Sequence, residues 1–516
     1  MTNEISRRAF CRLGAALSIV GPAGLPFAFQ LAALNSAAAQ SAPDYRALVC
    51  IFLLGGNDGH NTVLATDTDS WTRYFAARNT GSDPIALMPV GTPPAALGSP
   101  RSSTGGTVTR ASPEFWGGVI PIVPKTPNPI PAGTNATTRT FALHPMLAPV
   151  LPLFNAKRLA IVANVGTLIQ PTTKAQYAAR SVPLPPNLRS HADQVAVWQA
   201  GTGPGGNYGW GGRMADMIVA SNGQNSVFTA ITTAGNATFL AAQTAVQYQI
   251  LTGNTPANVI KATKDNSLFA AASGASTLQS IIRDTSATSF FANDYTAVVQ
   301  RSIDAAGLIN TTYALPGPSS IPAPPTFTNP TSGGNEDNIL ADELQSVAKM
   351  ISANVTLGMR RQVFYVTLGG FDTHNIENTT QPNLLAKLAQ ALTYFDGVLA
   401  NLNGVDMRSS VTTFTASDFS RTFTTNGDGT DHGWGSHHFV LGGAVNGGDI
   451  YGQYPTLGVD QGAFVNPDMS SNQVVPTIPV EQYAQPLGRW LGVSDASLNA
   501  IFPNLVNFPA KNLAFV

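Results

Sequence analysis

The chain has 516 residues, of which 43% are hydrophobic and only 11% charged, against roughly 25% charged in ordinary soluble domains. That is ample for a core, in one large domain or two or three smaller ones. A net charge of −1, with no basic stripe and no aromatic-plus-basic cluster, excludes nucleic acid as a partner.

The chain opens with a targeting segment. Ser6-Arg7-Arg8-Ala9-Phe10 is followed by an apolar stretch from Leu13 to Leu34 and then by Ala37-Ala38-Ala39-Gln40, a cleavage zone. Pro22, Gly24 and Pro26 break the stretch and argue against a stable membrane helix. Residues 1–40 are expected to be a twin-arginine signal peptide, recognised by the export machinery and removed. The mature protein would be periplasmic or secreted, with no stable membrane span after cleavage. Of the two cysteines, Cys11 leaves with the signal, so Cys50 has no intramolecular partner and is expected to be a buried small hydrophobe.

Residues 47–54 (ALVCIFLL) form the first of four apolar, β-branched runs; the others are 158–165, 362–368 and 410–416. Near-continuous hydrophobicity predicts strands buried on both faces of a parallel sheet. Residues 80–138 are rich in Gly, Pro, Ser and Thr and read as surface loops. Residues 207–345 carry helical pieces, such as 342–351, and are expected to be an insertion or cap. Residues 315–335 read as a Pro-rich connector. Between the third and fourth runs, Leu384, Leu385, Leu388, Leu392, Phe395, Val398, Leu399 and Leu402 recur at helical spacing. Strand, helix, strand predicts an α/β architecture.

Three runs deliver polar motifs at their carboxyl ends, where open α/β sheets bind ligands. The first leads to Gly55-Gly56-Asn57-Asp58, the third to GGFDTH with Asp372 and His374, and the fourth to Ser417-Asp418-Phe419-Ser420-Arg421. Asp372 and His374 are two apart, so on an extended segment they share a face. TDHGWGSHH carries Asp431, His432, His437 and His438 on a Gly-rich stretch, a density that points to a metal or catalytic site. Neutral imidazole and carboxylate suit divalent metals. Asp58 is read either as a metal ligand or as a turn or capping residue. Ser190, in RSHAD, is either the N-cap of the following helix, with Asp193 three residues on, or a nucleophile at a helix N-terminus. Arg421 either binds an anionic substrate group or makes a plain ion pair. His60 and His144 have no companions and read as structural.

Taken together, the order Asp58, Ser190, Asp372…His374, Asp431-His432, then His437 or His438 resembles the alkaline phosphatase superfamily, which includes phosphatases and sulfatases. The resemblance implies a mostly parallel central sheet with helices on both faces and long loop insertions. It also implies two metal ions, with Asp58, Ser190, Asp431 and His432 on one and Asp372, His374 and His437 or His438 on the other. More closely, almost all of the mature chain resembles the exported bacterial family called domain of unknown function 1501. That likeness rests on GGNDGHN, LHP, RSHAD, GWGGR, GGFDTH, SDFSRT, TDHGWGSHH and GGAVNGGDIYG. The family often has SEFGRT where this chain has SDFSRT, and Asp372-x-His374 is tighter than the superfamily's Asp-x-x-x-His.

The expected function is thus an exported hydrolase of small anionic phosphate or sulfate esters. It would use two divalent ions, whether Zn, Mn, Mg or Ca, with Ser190 as nucleophile and Arg421 stabilising charge in the transition state. The alternatives are a non-catalytic surface or assembly module on the same fold, and a metal-dependent hydrolase of another bond.

Overall fold

The computed structural model describes residues 45–516 apart from 131–136, 202–205, 254–256, 258–270, 285–288, 459–468, 471 and 510–512. The signal peptide expected at 1–40 lies outside the described residues. The strands of the central sheet are β1 Arg46–Leu54, β2 Leu159–Gly166, β3 Ala230–Thr232, β4 Gln247–Gln249, β5 Arg361–Gly369, β6 Val411–Ser417, β7 Ser436–Leu441, β8 Ile450–Tyr451 and β9 Ile478–Pro479. The helices that matter here are α1 Thr68–Arg78, α2 His191–Ala200, α3 Trp210–Ile218, α4 Ile339–Ser352, α5 Glu377–Leu399 and α6 Val480–Leu491.

The sheet has nine strands in the order β8-β2-β7-β6-β1-β5-β3-β4, with β9 also paired to β2. All pairings are parallel except those of β7, which runs against both β6 and β2. The four apolar runs read from the sequence are β1, β2, β5 and β6. They are hydrophobic throughout because both faces are covered. Ala47, Val49, Ile51 and Leu53 point into one core with α4 and α5, while Leu48, Cys50 and Phe52 point into the other with α3 and α6. The fold is therefore α/β with a largely parallel sheet and helices on both faces. Among the described residues, no helix is long and apolar enough to cross a membrane.

Two differences from the sequence reading are physical. Residues 207–345 do not stand apart as a cap: α3 is buried in the second core, and β3 and β4 extend the sheet beyond β5. The strands have three residues each, too few to show a period. The end of TDHGWGSHH is not loop either, since Ser436 opens β7. Register aligns the sheet's carboxyl edge: Leu54 pairs with Gly369 and Leu53 with Ser417. Because β7 is antiparallel, its amino end lies on that same edge, and the loop before it joins the turns that leave β1, β5 and β6.

Two further carboxyls are buried outside the motifs. Burial pushes Glu343 of α4 and Glu481 of α6 each up to about 7. A carboxyl raised in the folded state stabilises fully below its unfolded value near 4.5 and loses that contribution as pH climbs toward 7. Glu481→Gln should therefore match the parent near pH 5. At pH 8 it should be more stable, by on the order of 2–3 kcal/mol. Urea midpoints at the two pH values test this; an equal offset at both would mean that Glu481 does not titrate.

Candidate metal centre

Gly55 and Gly56 turn the chain after β1 at φ values of 112° and 84°. A Cβ on Gly55 would lie 2.4 Å from the backbone nitrogen of Asp372. Only glycine lets the turn after β1 nest against the turn after β5. The N–H of Gly55 donates to both oxygens of Asp418, at 3.1 and 3.2 Å, and so fixes that carboxylate at the end of β6.

Four side chains converge above this nest. Asp372 Oδ1 is 3.2 Å from His374 Nε2 and 3.2 Å from His432 Nε2, and its Oδ2 is 3.4 Å from His191 Nε2. His432 Nε2 is itself 3.1 Å from His191 Nε2 and 2.8 Å from His374 Nε2. One ligand atom from each of His191, Asp372 and His432 lies within 4.8 Å of the others.

The other ring nitrogens decide the tautomers. His432 Nδ1 faces the Arg189 carbonyl at 2.6 Å, and a carbonyl only accepts, so Nδ1 carries the proton. His191 Nδ1 faces Asp418 Oδ2 at 2.8 Å, and His374 Nδ1 faces Asp431 Oδ1 at 3.2 Å. Each imidazole thus donates from Nδ1 and aims Nε2 at the same point as Asp372. Three lone pairs and a carboxylate facing one point favour a cation there. A proton is one answer: the Asp418 hydrogen bond raises the pKa of His191 against the opposing effect of burial. A divalent ion is the fuller one. Ligands about 2.0–2.1 Å from zinc at tetrahedral angles sit roughly 3.3 Å apart, and the observed separations of 2.8–3.4 Å bracket that value. Nδ1-to-carboxylate and Nδ1-to-carbonyl contacts are also how metal-bound histidines are oriented. The residues that fit a divalent ion are His191, His432 and Asp372, with His374 beside them. Their side chains are 19–45% exposed, leaving the mouth open to solvent.

Arg421 lies beneath the centre, with no exposed side-chain surface. It donates to Asp372 Oδ1 at 2.7 Å, to the Gly55 carbonyl at 3.2 Å and to Thr430 Oγ1 at 3.3 Å, and also reaches the Thr430 carbonyl. Most of its donors are spent, so it holds Asp372 rather than facing a substrate. Burial would raise the pKa of Asp372, but the Arg421 hydrogen bond and charge lower it overall.

Other expected site residues are placed elsewhere. Asp58 is fully buried, where its carboxylate takes both terminal nitrogens of Arg78 end-on and caps His60 N at 3.1 Å. Ser190 caps α2, accepting from Asp193 N at 3.5 Å, while its hydroxyl also hydrogen-bonds the Asp193 carboxylate. His437 and His438 sit on β7 and so face opposite ways. His437 Nδ1 accepts from Asn164 N at 3.1 Å, with its ring stacked on Tyr454. His438 lies between Trp198 and Tyr483. Burial lowers the pKa of His437, and it takes His60, His144 and His438 to about 3, keeping all four neutral. The structure thus brings together Asp372, His374, Asp431 and His432 but leaves out Asp58, His437 and His438. Among the described residues, one ligand group is gathered. The additions are His191 and Asp418, from the RSHAD and SDFSRT motifs.

Comparison with known proteins adds the following. A sequence profile described as "Protein of unknown function (DUF1501)" matches residues 45–502. No curated protein matches the chain. A solved structure described as "Crystal structure of Ps i-CgsB in complex with k-i-k-neocarrahexaose" is similar over 69% of this chain and 70% of that chain, at 8% identity. Its TM-score of 0.28 is too low to bear on fold or function.

Proposed function

Because the chain belongs to the DUF1501 family, whose description names no reaction, its chemistry has to be read from the centre, and we propose an exported, metal-dependent hydrolase of phosphate or sulfate esters. The observation that carries this reading is the three-ligand group of His191, His432 and Asp372 at a half-exposed mouth, a number that leaves a fourth position open. A structural ion is closed off by its ligands, whereas a catalytic one keeps a position open. A bound divalent ion would supply Lewis acidity toward an ester oxygen.

The chain's own groups set the rest. The amino end of α2 brings positive dipole to the mouth beside His191, which favours an anionic substrate. Asp418 and the Arg189 carbonyl hold His191 and His432 in one tautomer, and Arg421 holds Asp372. Asp431, 63% exposed and hydrogen-bonded to His374, is placed to take a proton from water. Water rather than Ser190 is the nucleophile in this reading, since the Ser190 hydroxyl is engaged at the cap of α2. The likeness to alkaline-phosphatase-type enzymes extends to the Asp-His pairs at the sheet edge, and the ligand set favours one ion over two.

The test is metal content of the folded protein together with hydrolysis of 4-nitrophenyl phosphate, bis(4-nitrophenyl) phosphate and 4-nitrophenyl sulfate. About one divalent ion per chain should be found, with turnover lost on chelation and restored by the ion. No bound ion after incubation with zinc or manganese would end the reading. A loaded protein inert toward all three esters would favour a non-catalytic module on the same fold.

A further inference from the structure

We propose that an open groove beside the centre is a subsite for polyanionic esters, so that the substrate carries at least one further negative charge beyond the group at the histidines. This deepens the preceding reading and rests on it only for the reacting end. The groove encloses about 1070 Å³ and is lined by Tyr177, Arg180, Leu188, Arg189, Ser190 and Asp193, among others. Small-molecule pockets run to roughly 300–1,000 Å³, so a lone phosphate or sulfate would leave this one almost empty.

The charges point to the ligand. Arg78, Arg101, Arg158, Arg408, Arg421 and Arg489 all reach carboxylates. Arg180 and Arg189 are exposed, and neither makes an ion pair among the described residues. Asp193 is the one carboxylate in the lining among the described residues, and it is engaged by the Ser190 and Asn187 side chains. Two guanidinium groups therefore stand against one occupied carboxylate, a setting that suits bidentate capture of phosphate or sulfate groups.

Groove and centre are joined at two points. The Arg189 carbonyl accepts from His432 Nδ1. Tyr177 packs on Trp434, two residues after His432, with ring centroids 5.4 Å apart. A chain bound along the groove would thus end at the histidines.

The test is binding by calorimetry to a dextran sulfate oligomer and to sodium tripolyphosphate, with uncharged dextran as control, in EDTA so that the centre plays no part. The parent should bind one or both polyanions and not dextran. Arg180→Gln/Arg189→Gln should weaken binding by about tenfold or more per arginine, since a lost charge-assisted contact is worth that much. Whichever probe binds names the ester class. Arg283→Gln, which removes an exposed arginine outside the groove, should keep the parent's affinity. Equal affinity in the double glutamine variant, or no polyanion binding by the parent, would overturn the proposal. A parent that takes up no metal yet loses polyanion binding in the double variant would keep the groove and remove the hydrolase reading.

Discussion

Replacing Arg78 by methionine should lower stability by about 3–5 kcal/mol, the cost of leaving a buried charge without its partner. Arg78 closes α1 with its side chain fully buried. It meets both oxygens of Asp58 and donates to the carbonyls of Thr422 and Phe423, each at 2.8 Å. Glu377 lies 3.8 Å away and accepts from Thr430 Oγ1 at 2.8 Å. One guanidinium thus serves two buried carboxyls. Burial and the Asp58 charge raise the pKa of Glu377, whereas Arg78 overcomes burial at Asp58 and lowers it. The pocket thus favours the ionised form of Asp58 and the protonated form of Glu377. A loss of 3–5 kcal/mol is a large share of the roughly 5–15 kcal/mol that keeps a domain folded, so a steep fall in urea midpoint is expected. Asp58→Asn/Arg78→Met should recover much of it and still bind metal. An unchanged midpoint in Arg78→Met would mean that the pair is not ionised. Loss of metal from a folded double variant would restore Asp58 as a ligand.

His432→Ala should abolish metal binding at micromolar ion while leaving the fold intact. His432 Nε2 is the hub of the cluster, in contact with His191 Nε2, His374 Nε2 and Asp372 Oδ1. Its side chain is at the mouth, so truncation opens space to solvent rather than a cavity in the core. Asp418→Asn is the graded counterpart. It removes the carboxylate that orients His191 without removing a ligand, and should weaken affinity by about 10–100-fold. Zinc titration against a competing chelator, with circular dichroism as the control on fold, separates the two. Equal affinities in parent and His432→Ala would show that any bound ion is held elsewhere.

The parts of this molecule that were legible in the sequence are those where one local property decides the outcome. β1, β2, β5 and β6 are apolar at every position because each is buried on both faces, and their bounds fall within a residue or two of the runs read from sequence. α5 was visible through its leucine stripe, but it starts earlier, at Glu377, because its first turns bury polar residues: Glu377 accepts from Asn61, Asn378 donates to the Pro84 carbonyl and Gln381 donates to Asn57. β7 was hidden because two histidines lead it and only pairing with β2 and β6 makes it a strand. Asp58 looked like a ligand at a strand end. Its real partner is an arginine 20 residues on, in a helix with no motif to mark it. His191 had a signal: a cap at Ser190 places the next residue at the first helical position, on the edge where the other motifs gather. Asp418 gave no sign that it would face an imidazole more than two hundred residues away.

The arrangement around Arg78 also has a kinetic meaning. Its contacts span 20 residues to Asp58 and 345 to Phe423, and the Asn61 contact to Glu377 spans 316. Contacts so distant in the chain have to wait for long loops to close, and topologies dominated by them fold slowly. No single hairpin or helix pair can preassemble this edge, because Asp58, Arg78, Glu377 and Thr430 come from four separated stretches. The candidate centre draws Asp372 and His432 from beside those stretches, so its assembly depends on the same long-range closures. If the centre takes up an ion as proposed, uptake would report on chains in which these stretches have come together.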